Sequence, residues 1–208
     1  MKIAFINGSP KPPSDKSASG LIIKALEAKL GTGVESQSTK VVGGSTEAIL
    51  KTIEGADALA LVFPLYVDGL PSHFARFLDA NVSAIAKAAP QAKVYTVINN
   101  GYYEGCHNQA ALEMVRHFAL RAELSYGQGL GVGGGGMIPS VPIGFGPLKN
   151  LGKALDSLAK NILNLTAQDD ITIEPNISRW LYFKMAHLSF RLKAFKNGLK
   201  SRDLYLKP

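Results

Sequence analysis

Three short segments carry the side chains best placed for chemistry. The first is Asn7-Gly8-Ser9-Pro10-Lys11, continued by the hydroxyl-rich Ser14-Asp15-Lys16-Ser17-Ala18-Ser19-Gly20. Between a strand and a helix, such a segment holds a phosphate. Gly8 permits a sharp turn, and Ser17 and Ser19 set hydroxyls beside the unpaired N–H groups that open the helix. A phosphate ester there needs no metal, because the helix end carries about half a positive charge and N–H and O–H donors satisfy the dianion's oxygens. The plainer alternative is an N-capped strand-to-helix turn with no ligand.

The second segment, Pro64-Leu65-Tyr66-Val67-Asp68-Gly69-Leu70-Pro71, sets an aromatic and a turn-forming Asp-Gly between prolines that stiffen the backbone. The third, Asn99-Asn100-Gly101-Tyr102-Tyr103-Glu104-Gly105, offers amides, a glycine for close backbone approach and paired tyrosines. A planar heterocycle between these two, with its phosphate on the first, describes flavin mononucleotide. Other nucleotide motifs fail. A Walker loop needs glycine before Lys-Ser, but Asp15 precedes Lys16-Ser17 and would repel a triphosphate. No Gly-x-Gly-x-x-Gly follows the first strand, and the glycine run at residues 131–136 leads into Met137-Ile138-Pro139, which reads as a mobile loop.

Other reactive residues are weaker candidates. Cys106 and His107 are adjacent at a helix start, point in different directions and share a proton poorly. His73, His117 and His187 show no metal-ligand spacing, and no metal is expected. Asp68 reads as a turn residue at least as readily as a ligand contact.

The elements that must position these segments follow from apolar patterning. Strands are expected near residues 2–7, 34–41, 57–63, 93–98 and 124–132, with helices near 17–30, 46–54, 70–88, 107–121 and 148–165. Residues 58–63, almost wholly apolar, read as a central strand covered on both faces. Strict alternation predicts an α/β fold: a flavodoxin-like, doubly wound five-stranded parallel sheet of order 2-1-3-4-5 with helices on both faces. Its ligands bind outside the strand carboxyl ends at the switch in strand order. At 208 residues and 46% hydrophobic side chains, one domain is expected. The start turns polar by Asn7 and no apolar run reaches a membrane span, so a cytoplasmic location is expected. A single cysteine excludes an intramolecular disulfide and a cysteine-ligated iron–sulfur cluster within one chain, so redox chemistry needs an organic cofactor.

Phe5-Ile6-Asn7-Gly8-Ser9-Pro10-Lys11 resembles the Asn-Gly-Ser-Pro-Arg start of the flavodoxin-like NAD(P)H-dependent FMN reductases and related flavodoxin-family oxidoreductases. Phe63 to Pro71 is similar to that family's second flavin loop, and Lys196-Asn197-Gly198-Leu199-Lys200 with Asp203-Leu204-Tyr205 to the tail of a subgroup. The resemblance implies that Ser9, Lys11, Ser17 and Ser19, with Ala18 among them, hold the FMN phosphate. It implies that Pro64, Leu65, Tyr66, Val67, Asp68 and Gly69 support the isoalloxazine, and that Asn99, Asn100 and Gly101, with Tyr102, meet its edge. Two departures stand out: Pro12-Pro13 lengthens the phosphate loop, and Ala18-Ser19 replaces the Asn-Thr of many relatives. The implied function is an FMN flavoprotein that moves hydride from NADH or NADPH to FMN and on to a quinone, flavin or similar small acceptor. No side chain acts as a catalytic base, because FMN carries the chemistry. A homo-oligomer, a dimer at its simplest, is expected. The alternative class is a non-enzymatic flavodoxin-like electron carrier or binding module.

The first 170 residues are read as the FMN-binding domain and residues 171–208 as a basic amphipathic helical extension of it. From Asn176 onward Arg179, Lys184, Arg191, Lys193, Lys196, Lys200, Arg202 and Lys207 face only Asp203, which accounts for the whole formal charge of +7. Ile177, Leu181, Met185, Leu188, Leu192, Phe195 and Leu199 recur at spacings of three and four, flanked by Trp180, Phe183 and Phe190. Three roles are open to such a helix, beside the steering of NADPH or an acidic redox partner by a basic surface. It docks on its own domain or a partner subunit, or it lies on an anionic membrane surface. Nucleic-acid binding ranks last because no readout motif accompanies the charge.

Overall fold

Apolar strands that lack a polar face demand cover on both sides, and the computed structural model, which describes residues 1–205, supplies it. It forms two units, Met1–Pro175 and a second beginning at Asn176. In the first, all strands run parallel: β1 (Lys2–Asn7), β2 (Glu35–Lys40), β3 (Ala58–Pro64), β4 (Lys93–Asn99), β5 (Ser125–Val132) and β6 (Ile171–Ile173). The helices are α1 (Ala18–Leu30), α2 (Thr46–Ile53), α3 (Ser72–Ala80), α4 (Val82–Ala88), α5 (Gln109–Arg121) and α6 (Lys149–Leu163).

The sheet order is β2-β1-β3-β4-β5-β6, so the expected five strands are six. β6 escapes sequence patterning because it is three residues long and pairs only with Leu130–Val132. It takes residues 171–173, assigned from sequence to the helical extension, into the sheet. Helix 70–88 is in fact two helices that meet at Asn81, whose amide donates to Phe77 O at 2.7 Å. The glycine run is a loop only in part. Gly131 belongs to β5, and Gly135–Met137 forms a 3-10 turn.

One core layer lies under α2 to α5 and includes Phe63, Phe74, Leu78, Ile98, Leu112 and Val115; the other, under α1 and α6, includes Phe5, Ile22, Leu26, Tyr95, Leu155 and Leu158. β2 is a polar, mostly exposed edge strand, which protects the sheet from adding further strands. Tyr95 is buried with its hydroxyl 2.9 Å from the carbonyls of both Asn161 and Thr166, and burial pushes its phenol up to about 12. Asp170, next to β6, accepts from Arg116 at 2.7 Å, from the Tyr126 hydroxyl at 2.9 Å and from the Gly129 amide at 2.6 Å. That triple anchor fixes where β6 begins, and burial together with Asp170 drives the Tyr126 phenol upward.

The second unit contains α7 (Arg179–Lys196), capped by Ser178, whose hydroxyl accepts the Leu181 N–H at 3.3 Å. Its apolar side chains do not gather on one face as expected. Leu181, Met185, Leu188 and Leu192 form one strip, while Phe183 and Phe190, seven residues apart, form another, with Lys184 and Arg191 in between. Lys207, counted above in the basic tail, lies outside the described residues. Among the described residues no helix is long and apolar enough to cross a membrane.

Candidate functional site

Parallel strands deliver their following loops to one edge, and the order β2-β1-β3 places the switch point beside β1. The loops after β1, β3 and β4 meet there and are tied by bonds distant in sequence. Gly8 N–H donates to Val62 O at 2.9 Å, Leu65 N–H to Asn99 O at 2.8 Å, and the Asn99 amide to Phe63 O at 3.2 Å and Ser19 Oγ at 3.3 Å. Gly8 is needed for contact as well as for turning. A Cβ there would sit 2.6 Å from Phe74 Cδ1 and 2.9 Å from Phe63 Cβ.

In the first loop Ser9, Ser17 and Ser19 are buried. Ser17 is the N-cap of α1 and accepts the Gly20 N–H at 3.1 Å, which leaves the N–H groups of Ala18 and Ser19 without an intrahelical acceptor. Asn7, absent from the sequence-based assignment, organises the turn: its side-chain oxygen accepts Ser9 N–H at 2.9 Å, an Asx turn. The pairing of Asn with Gly at a strand end is the signal that marks it. The ammonium of Lys11, expected at the phosphate, donates within the loop to Lys16 O at 3.0 Å. Lys40, at the end of β2, likewise donates to Pro12 O at 3.0 Å, so two lysines clip the Pro12-Pro13 insertion in place. Burial lowers the Lys40 pKa, with Asp15 opposing and Lys11 reinforcing the shift.

The loop after β3 makes its turn one residue earlier than the Asp-Gly pair suggests. Tyr66 and Gly69 exchange two 3.0 Å backbone bonds around Val67 and Asp68, whose φ angles are 48° and 57°. That is the pattern of a type I′ turn, with a β-branched residue in the left-handed region. Val67 is fully exposed and Tyr66 half exposed beside it. His73, in the first turn of α3, lies against Gly8 with Nε2 buried and unpartnered. Burial lowers its pKa, opposed by a hydrogen bond with the Gly8 backbone and assisted by Arg76 and Lys40.

In the loop after β4 both asparagines are buried and structural. Asn100 holds the loop closed, accepting Tyr102 N–H at 2.9 Å and donating to Glu104 O at 3.1 Å. Tyr102 is half exposed, its ring 4.4 Å from that of His107, with Gly101 exposed before it. Patterning alone does not reveal that Gly133 to Gly135 press on this loop. Gly134 N–H donates to Tyr102 O and Gly135 N–H to Asn100 O, both at 2.6 Å, and a Cβ on Gly135 would fall 2.8 Å from Asn100 O. β6 backs the same region, because Gly105 leaves only 2.5 Å between a would-be Cβ and Ile173 O.

The structure therefore brings Ser9, Ser17, Ala18 and Ser19 together at one helix end and sets the loops of Tyr66 and Tyr102 beside them. It draws Lys11 back into the loop and turns Asn99 and Asn100 inward. Buried hydroxyls, free N–H groups at a helix start and exposed aromatics fit a phosphorylated planar ligand such as FMN. Among the described residues no group of three His, Cys, Asp or Glu side chains is placed to hold a metal ion.

No family model and no curated protein matches the chain. Solved structures do. An NADH:FMN oxidoreductase in its apo form matches with a TM-score of 0.62 at 15% identity over 80% of this chain and 90% of that one. A flavodoxin of Streptococcus pneumoniae matches with 0.56 at 12% identity over 80% and 100%. An NADPH-quinone reductase from P. pentosaceus matches with 0.55 at 16% identity over 76% and 98%. With identities this low the likeness speaks for architecture, and residues 1–175 have the flavodoxin-like fold, extended by a sixth parallel strand.

Proposed function

We propose that the chain is an FMN-binding oxidoreductase that takes hydride from NADH or NADPH and passes reducing equivalents to a quinone, a flavin or a similar small acceptor. The observation that carries this reading is the junction at the switch point. Buried Ser9, Ser17 and Ser19 surround the start of α1, and half-exposed Tyr66 and Tyr102 stand on the two flanking loops. Similarity to the NADH:FMN oxidoreductase and the NADPH-quinone reductase supports it.

When bound, FMN supplies the hydride-accepting and electron-donating chemistry. The chain's part is to bind and orient. The Ser17 hydroxyl, already accepting from Gly20, has its own O–H to donate to a phosphate oxygen, and the Ala18 and Ser19 N–H groups add two donors. Asn99 keeps Ser19 in place, and the Asn100 and Gly135 contacts set the height of the Tyr102 loop. Tyr66 and Tyr102 shape the opening through which donor and acceptor enter. A cytoplasmic setting and a homo-oligomer belong to the same reading, the first supported by the single cysteine.

The test is the visible spectrum of protein mixed with excess FMN and desalted, followed by NADH or NADPH without air. Retained flavin that bleaches with one nicotinamide is the expected result and names the donor. Retained flavin that neither nicotinamide bleaches would replace the enzyme by an electron carrier, and absence of binding in an equilibrium titration would end the flavin reading.

A further inference from the structure

The formal charge of +7 lies wholly after Pro175, where eight cations face Asp203, while residues 1–175 hold fifteen charges of each sign. We propose that the unit beginning at Asn176 is an anchor for an anionic lipid surface. Taken by itself, this unit leaves Trp180, Phe183, Leu188, Phe190, Leu192 and Phe195 exposed. Cations sit directly on the aromatics: Arg179 lies 5.2 Å from the Phe183 ring centre, Lys184 5.6 Å from Trp180 and Lys193 5.9 Å from Phe190. After Gly198 a 3-10 turn over Ser201–Tyr205, tied by the Lys200 N–H to Asp203 at 2.7 Å, brings Tyr205 onto α7. There Trp180, Phe183, Lys184, Leu188, Arg191 and Tyr205 line a groove of about 420 Å³, apolar in its walls and bearing two cations, suited to a phosphate headgroup and the first carbons below it.

The arrangement selects lipid over other anionic partners. A nucleic acid satisfies the cations but offers no apolar phase to Leu181, Met185, Leu188 and Leu192. A second copy of the unit would set like charges against each other. The headgroup region accepts both, since aromatic and aliphatic groups enter the acyl boundary while long Lys and Arg side chains reach back to the phosphates. Shape matching is not needed there, so two apolar strips divided by Lys184 and Arg191 are no obstacle. The proposal does not depend on flavin binding.

Trp180 is the chain's one tryptophan, so the full chain carries its own probe. Its emission is recorded with vesicles of phosphatidylcholine alone and with vesicles in which about a third of the lipid is phosphatidylglycerol. The expected result is a blue shift and co-sedimentation with the anionic vesicles only, both reversed by high salt. Each cation near the surface strengthens binding about five-fold, so the exposed triple change K184Q/R191Q/K193Q weakens it roughly a hundred-fold with an unchanged melting temperature. Equal binding to neutral vesicles, or no shift and no sedimentation at low salt, overturns the proposal. So does emission in the free protein that iodide fails to quench, which would mean that α7 is covered by its own domain or a second copy. Tighter binding to a duplex oligonucleotide, without a blue shift, would assign the charge to nucleic acid instead.

Discussion

Ser17 serves two masters that one substitution can separate. Its hydroxyl accepts the Gly20 N–H at 3.1 Å as the cap of α1, and in the proposed complex its O–H points at a phosphate. Alanine removes both functions. Losing the cap costs about 1 kcal/mol, a fall of about 2–4 °C in melting temperature for a chain of this size. Losing a hydrogen bond to a charged group costs about 1.5–3 kcal/mol, roughly a ten- to hundred-fold loss of FMN affinity. Aspartate separates the roles. Its carboxylate caps a helix as well as serine does and complements the positive helix end, so the melting temperature of Ser17→Asp holds or rises. Yet two like charges about 4 Å apart at an effective dielectric near 20 repel by about 4 kcal/mol, so FMN binding weakens at least roughly a thousand-fold. Thermal unfolding and a fluorescence-quenching titration with FMN read the two effects independently. Wild-type affinity in Ser17→Asp with an intact melting temperature would refute the placement of the phosphate at this helix end.

Two further outcomes follow from local physics. Val67 holds φ at 48° with nothing packed on it, and a left-handed conformation costs an L-residue about 1–2 kcal/mol. Val67→Asn, which tolerates that region, should raise the melting temperature by about 2–4 °C; no change in a thermal melt would show that the turn stores no strain. His73 has its pKa lowered by burial, so between that value and about 6.5 the folded state binds fewer protons than the unfolded one. Stability then rises with pH through that window and falls as pH drops below about 6.5, and urea melts across it should show a shallower slope for His73→Gln; identical slopes would remove His73 as the source.

How much of this was legible in the sequence depended on range. β1, β3 and β4 announce themselves because burial on both faces leaves nearly continuous apolar runs, and the Asn7-Gly8 turn is written in adjacent residues. β6 is not legible: Ile171-Thr172-Ile173 is too short to show a period, and what makes it a strand is Asp170 bonding Arg116 and Tyr126 some fifty residues earlier. The glycine run misleads for a related reason. Composition suggests looseness, whereas Gly133 and Gly135 are small because the backbone of the Tyr102 loop lies against them, and Gly134 because it turns at a φ of 67° against Pro175.

The same distinction orders the candidate site. The residue types at Ser9, Ser17 and Ser19 suggest a phosphate loop, but their convergence rests on contacts such as that between Asn99 and Ser19, eighty residues apart. Lys11 shows what residue type leaves out. Position and charge nominate it for the phosphate, while its ammonium also has a partner within the loop, Lys16 O at 3.0 Å. With Lys40 fastened to Pro12 O in the same way, lysines brace the loop, and the other groups proposed for the phosphate are uncharged hydroxyls and N–H donors. A phosphate held there is held by the helix end and by hydrogen-bond geometry more than by paired charge. Binding by such a site is less sensitive to salt than binding by exposed lysines, and that separates it from α7, whose proposed attraction to lipid is ionic at long range and vanishes as the Debye length shrinks.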